Sequence, residues 1–70
     1  MSLIIEDLLP YQQRVLEEKD DLDSKISKLT TYTESEGFRK LDYGNQLLLY
    51  KQLLIMYKYR VVLIDRILLF

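Results

Sequence analysis

The side chains in this 70-residue chain best suited to recognising a ligand are its tyrosines and a few arginines. Tyr11, Tyr32, Tyr43, Tyr50, Tyr57 and Tyr59 are the six tyrosines, and Tyr43, Tyr50 and Tyr57 recur at steps of seven. A Tyr ring stacks on a nucleobase and a guanidinium forks onto a phosphate. Tyr beside Arg14, Arg60 or Arg66 is therefore the chemistry of a nucleotide site. The same residues serve at protein–protein interfaces, where the ring is buried and the hydroxyl finds a partner. Taken by themselves, the tyrosines suit the interface better.

Other chemistries are poorly supplied. The chain has no Cys and no His, which leaves no disulfide, no thiol nucleophile, no His acid–base pair and few metal ligands. Asp20, Asp21 and Asp23 lack the Gly and the terminal Glu of a calcium loop. No Gly-rich phosphate loop is present, and no nucleophile sits at a recognisable spacing from a base. The expectation is a protein that is not an enzyme, with no cofactor and no metal. The net charge is −1, whereas a duplex nucleic-acid binder is more often basic. The charge is also uneven: residues 1–36 carry four basic and nine acidic side chains, and residues 37–70 carry six and two. Halves of opposite sign suit an antiparallel pair of elements.

Two long helices must position these groups. A first helix is expected over about 8–33. Asp7 would cap its start, and Pro10 would sit in the first turn, where its missing N–H does no harm. Leu8, Val15, Leu22 and Leu29 recur at steps of seven, interleaved with Tyr11, Glu18, Lys25 or Ile26, and Tyr32. This makes a seam with one acidic interruption at Glu18. Residues 34–42 form the connection. Ser35 and Gly37 act as breakers, a short helical turn fits between Ser35 and Lys40, and Phe38 and Leu41 can fold back as a plug. Asp42 reads as the cap of a second helix over about 43–69, with Asn45 three residues on.

That second helix is apolar nearly all round. Leu49, Leu53, Met56, Leu63 and Ile67 fill one face. Tyr50, Leu54, Tyr57, Val61, Ile64 and Leu68 form a second flank, and Leu48, Ile55, Tyr59, Val62 and Leu69 a third. Lys51, Lys58 and Asp65 mark a narrow wet strip. One helical partner covers little more than 100° of such a surface, and a chain this short, without staples, commonly associates. The expected fold is all-α: an antiparallel two-helix hairpin in a single domain, assembling into a homo-oligomeric helical bundle, dimer or tetramer. The charges at Lys51, Lys58, Arg60, Asp65 and Arg66 argue against a membrane span, each costing about 2.5–3.5 kcal/mol at a bilayer centre. The N-terminus lacks the basic region and long apolar core of a signal peptide.

A hairpin turning near residues 38–39 pairs positions whose numbers add to roughly 78. It sets Leu29 beside Leu49, Leu22 beside Met56, Val15 beside Leu63 and Tyr11 beside Ile67. It also sets Glu18 opposite Arg60. Two isolated charges in an apolar seam compensate each other when they face, so an ion pair between Glu18 and Arg60 is expected.

The order of motifs resembles a family of very small two-helix phage proteins first catalogued in crAss-like phages. The resemblance runs from Leu9-Pro10-Tyr11-Gln12-Gln13-Arg14-Val15 through Glu18-Lys19, Leu22 to Leu29, Phe38 to Leu41 and Gln46 to Leu49. It closes on Gln52-Leu53, Met56, Tyr59, Val62-Leu63 and Arg66-Ile67. Tyr11 stands where the family pattern leads one to expect His, Tyr32 where it leads to Phe, and Arg60 replaces a small residue. The resemblance implies a phage protein acting in the bacterial host cytoplasm. By analogy with other tiny helical phage oligomers, it implies a sponge that holds a cyclic-nucleotide or cyclic-ADP-ribose-type immune signal at subunit interfaces without cleaving it. The residues it singles out as ligand-binding are Arg14, Tyr59 and Arg66, then Tyr11, Gln12 and Gln13. Arg would meet phosphate, Tyr would stack on or hydrogen-bond a base, and Gln would read a base edge. On the sum of 78, Gln12 lies opposite Arg66, which an ordinary helix–helix contact would also explain. The competing expectation is a structural or protein-binding module whose apolar faces dock a host or phage protein.

Overall fold

The computed structural model describes residues 8–70 and is built from three helices, with no strand among the described residues. The first, α1, spans Pro10–Thr33. It is followed by a single turn, α2, over Glu36–Arg39, and by α3 over Tyr43–Leu68. Pro10 is at the very start of α1, where its fixed φ is an asset. Leu9 is the capping residue, and its backbone N–H is taken up by Gln12 Oε1 at 2.9 Å, a reach-back from the third helical position. Asp7, expected as the cap, lies outside the described residues.

The core is narrow. Val15, Leu22, Ile26 and Leu63 form it, with Leu53, Met56, Ile67 and Phe70 packed around them. Leu63 is fully buried. Contacts fall along α3 as they rise along α1: Tyr11 meets Phe70 edge-to-face at a centroid separation of 6.1 Å, and Arg60 Nε donates to Asp23 Oδ1. The molecule is a rod of 48 × 19 × 17 Å.

The connection explains the geometry. Ser35 caps α2, its hydroxyl accepting from Phe38 N at 3.2 Å while donating to Tyr32 O at 2.6 Å. This turns Phe38 inward, where it is 4% exposed between Tyr32 and Tyr50, edge-on to both. Gln46 Nε2 then donates to Phe38 O at 2.9 Å and ties α3 back to the turn. Phe38 is thus the plug expected from its position. The Asp42 carboxylate at the start of α3 accepts from Asn45 Nδ2, which holds its pKa below the ordinary value.

The expected register is corrected. Asp23 with Arg60 and Tyr11 with Phe70 are positions adding to 83 and 81, not 78. The α2 turn and Phe38 occupy space between the helices that a bare loop would leave open. That displaces α3 by about one helical turn relative to α1. The Glu18–Arg60 ion pair is overturned with it. Arg60 is held by Asp23, whose other oxygen takes Lys19 Nζ at 2.8 Å, while Glu18 is exposed. Asp23, on the polar face by periodicity, is half-buried at the helix–helix boundary.

Candidate functional site

Two grooves run between α1 and α3, on opposite sides of the core. The first is lined by Arg14, Glu17, Glu18, Asp21, Leu22 and Lys25 from α1 and by Tyr59 from α3. Arg14, Glu18, Asp21 and Lys25 lie three and four residues apart, so one helical stripe supplies this wall. Tyr59 faces it from α3, 41% exposed with its ring at the rim. Two of the six expected binding residues, Arg14 and Tyr59, therefore share one groove.

The other four are placed differently. Arg66 is exposed, seven residues beyond Tyr59 on the same flank of α3, about 10 Å further along the axis. The observed pairing sums of 81 and 83 set it level with Val15 to Glu17, within about a turn of Arg14. Tyr11 stands at the end of the rod with its ring against Phe70. Gln12 spends its carbonyl oxygen on Leu9 N, and its amide nitrogen sits 3.5 Å from the Tyr11 hydroxyl. It caps a helix and is not directed at Arg66. Gln13 Nε2 donates to Leu8 O at 3.3 Å, again serving the entry to α1. The two glutamines thus hold Leu8 and Leu9 at the entry to α1.

Electrostatics shape what the first groove can take. Its lining carries Glu17, Glu18 and Asp21 against Arg14 and Lys25, an excess of one negative charge. A phosphate would be drawn to the Arg14 end and repelled from the Asp21 end. Within one chain the groove is open and shallow, with the ligand-type groups on one wall and at one end.

Sequence reading did not anticipate the second groove, lined by Asp23, Ile26, Ser27, Thr30 and Thr31 of α1 and by Tyr57 and Arg60 of α3. Three hydroxyl side chains within about one turn of α1 were the available signal. Thr30 Oγ1 is buried there with no hydrogen-bond partner, a costly arrangement for a hydroxyl. Arg60 is not a spare cation, because Asp23 neutralises it. Lys19 chiefly, and Arg60 next, hold the Asp23 carboxyl below its ordinary value.

No group of three or more His, Cys, Asp or Glu side chains placed for a metal ion occurs among the described residues, and no described helix is long and apolar enough to cross a membrane. A family model described as Sequestin matches residues 9–69. No curated protein and no solved structure matches the chain.

Proposed function

Because this chain belongs to the Sequestin family, we propose that it is a sequestering protein that captures a nucleotide immune signal and holds it uncleaved. The family's description names sequestration, and that observation carries the reading. In this proposal the protein comes from a phage, acts in the cytoplasm of the infected bacterium, and works as a homo-oligomer of antiparallel two-helix hairpins. The ligand is a cyclic nucleotide or cyclic-ADP-ribose-type molecule.

The groove geometry supports a division of labour. Arg14 and Arg66, within about a turn of each other along the rod, engage phosphate. Tyr59 stacks on a base along the groove wall. Gln12, Gln13 and Tyr11 act one step back, by holding the start of α1 so that Arg14 is presented from a defined turn. A single groove lined by three carboxylates is a weak anion site, so the reading places the ligand where a second subunit covers the groove and adds cations.

A second reading has its own observation. Leu48, Leu54, Ile55, Val61 and Val62 are each more than half exposed, which also fits a module docking a host or phage protein. Thermal melting with a panel of cyclic di- and trinucleotides and ADP-ribose derivatives separates the two. A ligand at 100 times its Kd adds about 2.7 kcal/mol, which raises the melting temperature by about 10–20 °C in a domain of this size. Chromatography of the released ligand should recover it intact, and Arg14→Ala and Arg66→Ala should each weaken capture. A flat response across the whole panel would sink the sequestration of nucleotides in favour of protein docking.

A further inference from the structure

We infer that the flank of α3 running from Tyr50 to Leu68 is a coiled-coil seam for a second copy of this chain, packed antiparallel with its two-fold axis at Lys58. This rests on the homo-oligomer of the sequestration reading and adds the face, direction and register of one of its interfaces, separate from the contact that would cover the Arg14–Tyr59 groove.

The two exposed flanks of α3 are not equivalent. On one, the positions three and four apart are Tyr50, Leu54, Tyr57, Val61, Ile64 and Leu68, an unbroken apolar heptad pattern. Leu54 is 56% exposed and Leu68 77% in the single chain. On the other, Leu48, Ile55, Val62 and Leu69 alternate with Gln52, Tyr59 and Arg66. A seam interrupted by Gln and Arg packs poorly, so the first flank is the helix-pairing surface. The second is left to the Arg14–Tyr59 groove.

The rim charges choose direction and register. Lys51, Lys58 and Asp65 border the apolar seam on its outer side, each one residue after a seam position. Rim residues of this kind set orientation in coiled coils. In an antiparallel pair they face their own counterparts. With Tyr57 of one copy against Val61 of the second copy, and Leu54 against Ile64 of the second copy, Lys51 meets Asp65 twice and Lys58 lies at the axis. There its long stem can carry the ammonium out to water. Sliding one heptad one way sets Lys51 against Lys58, and sliding the other way pairs Lys58 with Asp65 but leaves Tyr50 and Leu54 uncovered. In a parallel pair the rim would meet Gln46, Leu53 and Arg60 of the second copy, and Arg60 is already held by Asp23. Antiparallel packing also opposes the two helix dipoles. Lys51 and Asp65 stand seven residues either side of Lys58, and that symmetry is the charge complementarity that identifies the occupant as a second copy.

The absence of native cysteine makes the test direct. Light scattering of the full chain at micromolar concentration should give at least twice 8.4 kDa. With a short bis-maleimide, Lys58→Cys should link to itself. Lys51→Cys and Asp65→Cys should each fail alone, because position 51 lies about 21 Å from its own counterpart, and should link when mixed. Leu54→Asp should abolish this linkage in the cysteine background, and its neighbour Ile55→Asp, on the other flank, should preserve it. Lys51→Glu should weaken the dimer roughly tenfold, and Lys51→Glu/Asp65→Lys should restore it. A monomer by light scattering, self-linking of Lys51→Cys, or loss of linkage in Ile55→Asp with retention in Leu54→Asp would overturn the proposal. A seam that passes these tests in a protein that binds no nucleotide would leave this inference standing and sink the sequestration reading alone.

Discussion

Replacing Leu63 by Ala tests whether the thin core described here carries the fold. Leu63 is the one large side chain among the described residues with no solvent exposure, and it sits where Val15, Leu22 and Ile26 converge. Truncating a buried Leu costs about 2–5 kcal/mol, the transfer term plus the cavity left behind. A rod of this kind relaxes more readily than a globular interior, so a central value of about 3 kcal/mol is expected. A chain of this length has a total stability of only about 3.5–10 kcal/mol, so the loss is a third of it or more. At about 4–8 °C per kcal/mol for small domains, the melting temperature should fall by about 12–24 °C. The assay is urea and thermal unfolding followed by far-UV circular dichroism, at several protein concentrations to separate core loss from dissociation. Val62→Ala is the control: adjacent in sequence and more than half exposed, it should change stability by no more than about 0.5 kcal/mol. A cost below about 1 kcal/mol for Leu63→Ala, or equal costs for the two variants, would refute the packing described.

Two further outcomes are expected. The Asp23 pKa is lowered by Lys19 and Arg60 from its ordinary 3.8, so its contribution is fully present above pH 3.8 and is lost as pH falls through the lower folded value. Acid unfolding should therefore be shallower below that pH in Asp23→Asn than in the parent. Gly37 lies in α2 without positive φ, and a Cβ there would meet Tyr32 Cε1 at an ordinary 3.6 Å. Gly37→Ala should stabilise by about 0.4–1 kcal/mol, read from the same urea transition.

Much of the architecture was legible in the residues. Pro10 near the start of α1, Ser35 and Gly37 in the turn, Phe38 as the plug and Asp42 before α3 each announce themselves by local chemistry acting over a few residues. The seven-residue recurrence of Leu8, Val15, Leu22 and Leu29 picked out the inward stripe, of which Val15 and Leu22 are buried in α1 and Leu29 is half-buried. Leu63 and its neighbours were likewise assigned to the inner face of α3. The excess of apolar surface on the remaining faces followed from counting alone.

The site was less legible. Arg14 and Tyr59 do share a groove, but Gln12 and Gln13 serve the start of α1 through contacts to Leu9 and Leu8. Short-range capping by glutamine competes with ligand binding for the same amide, and sequence spacing does not say which prevails. The groove around Thr30 and Tyr57 went unseen because Ser27, Thr30 and Thr31 read as ordinary polar residues until α3 is laid beside them.

The residues by themselves determined that this chain is helical, where its helices break, and which stripe of each turns inward, because those properties depend on periodicity and on caps within one turn. Only the tertiary structure decided the pairing between helices. Sliding α3 by one turn returns nearly the same apolar stripe to the core, since 3.6 residues complete a rotation, and hydrophobic pattern cannot separate registers four residues apart. The volume of Phe38 and the α2 turn breaks that degeneracy, and it is why Arg60 is paired with Asp23 and not with Glu18.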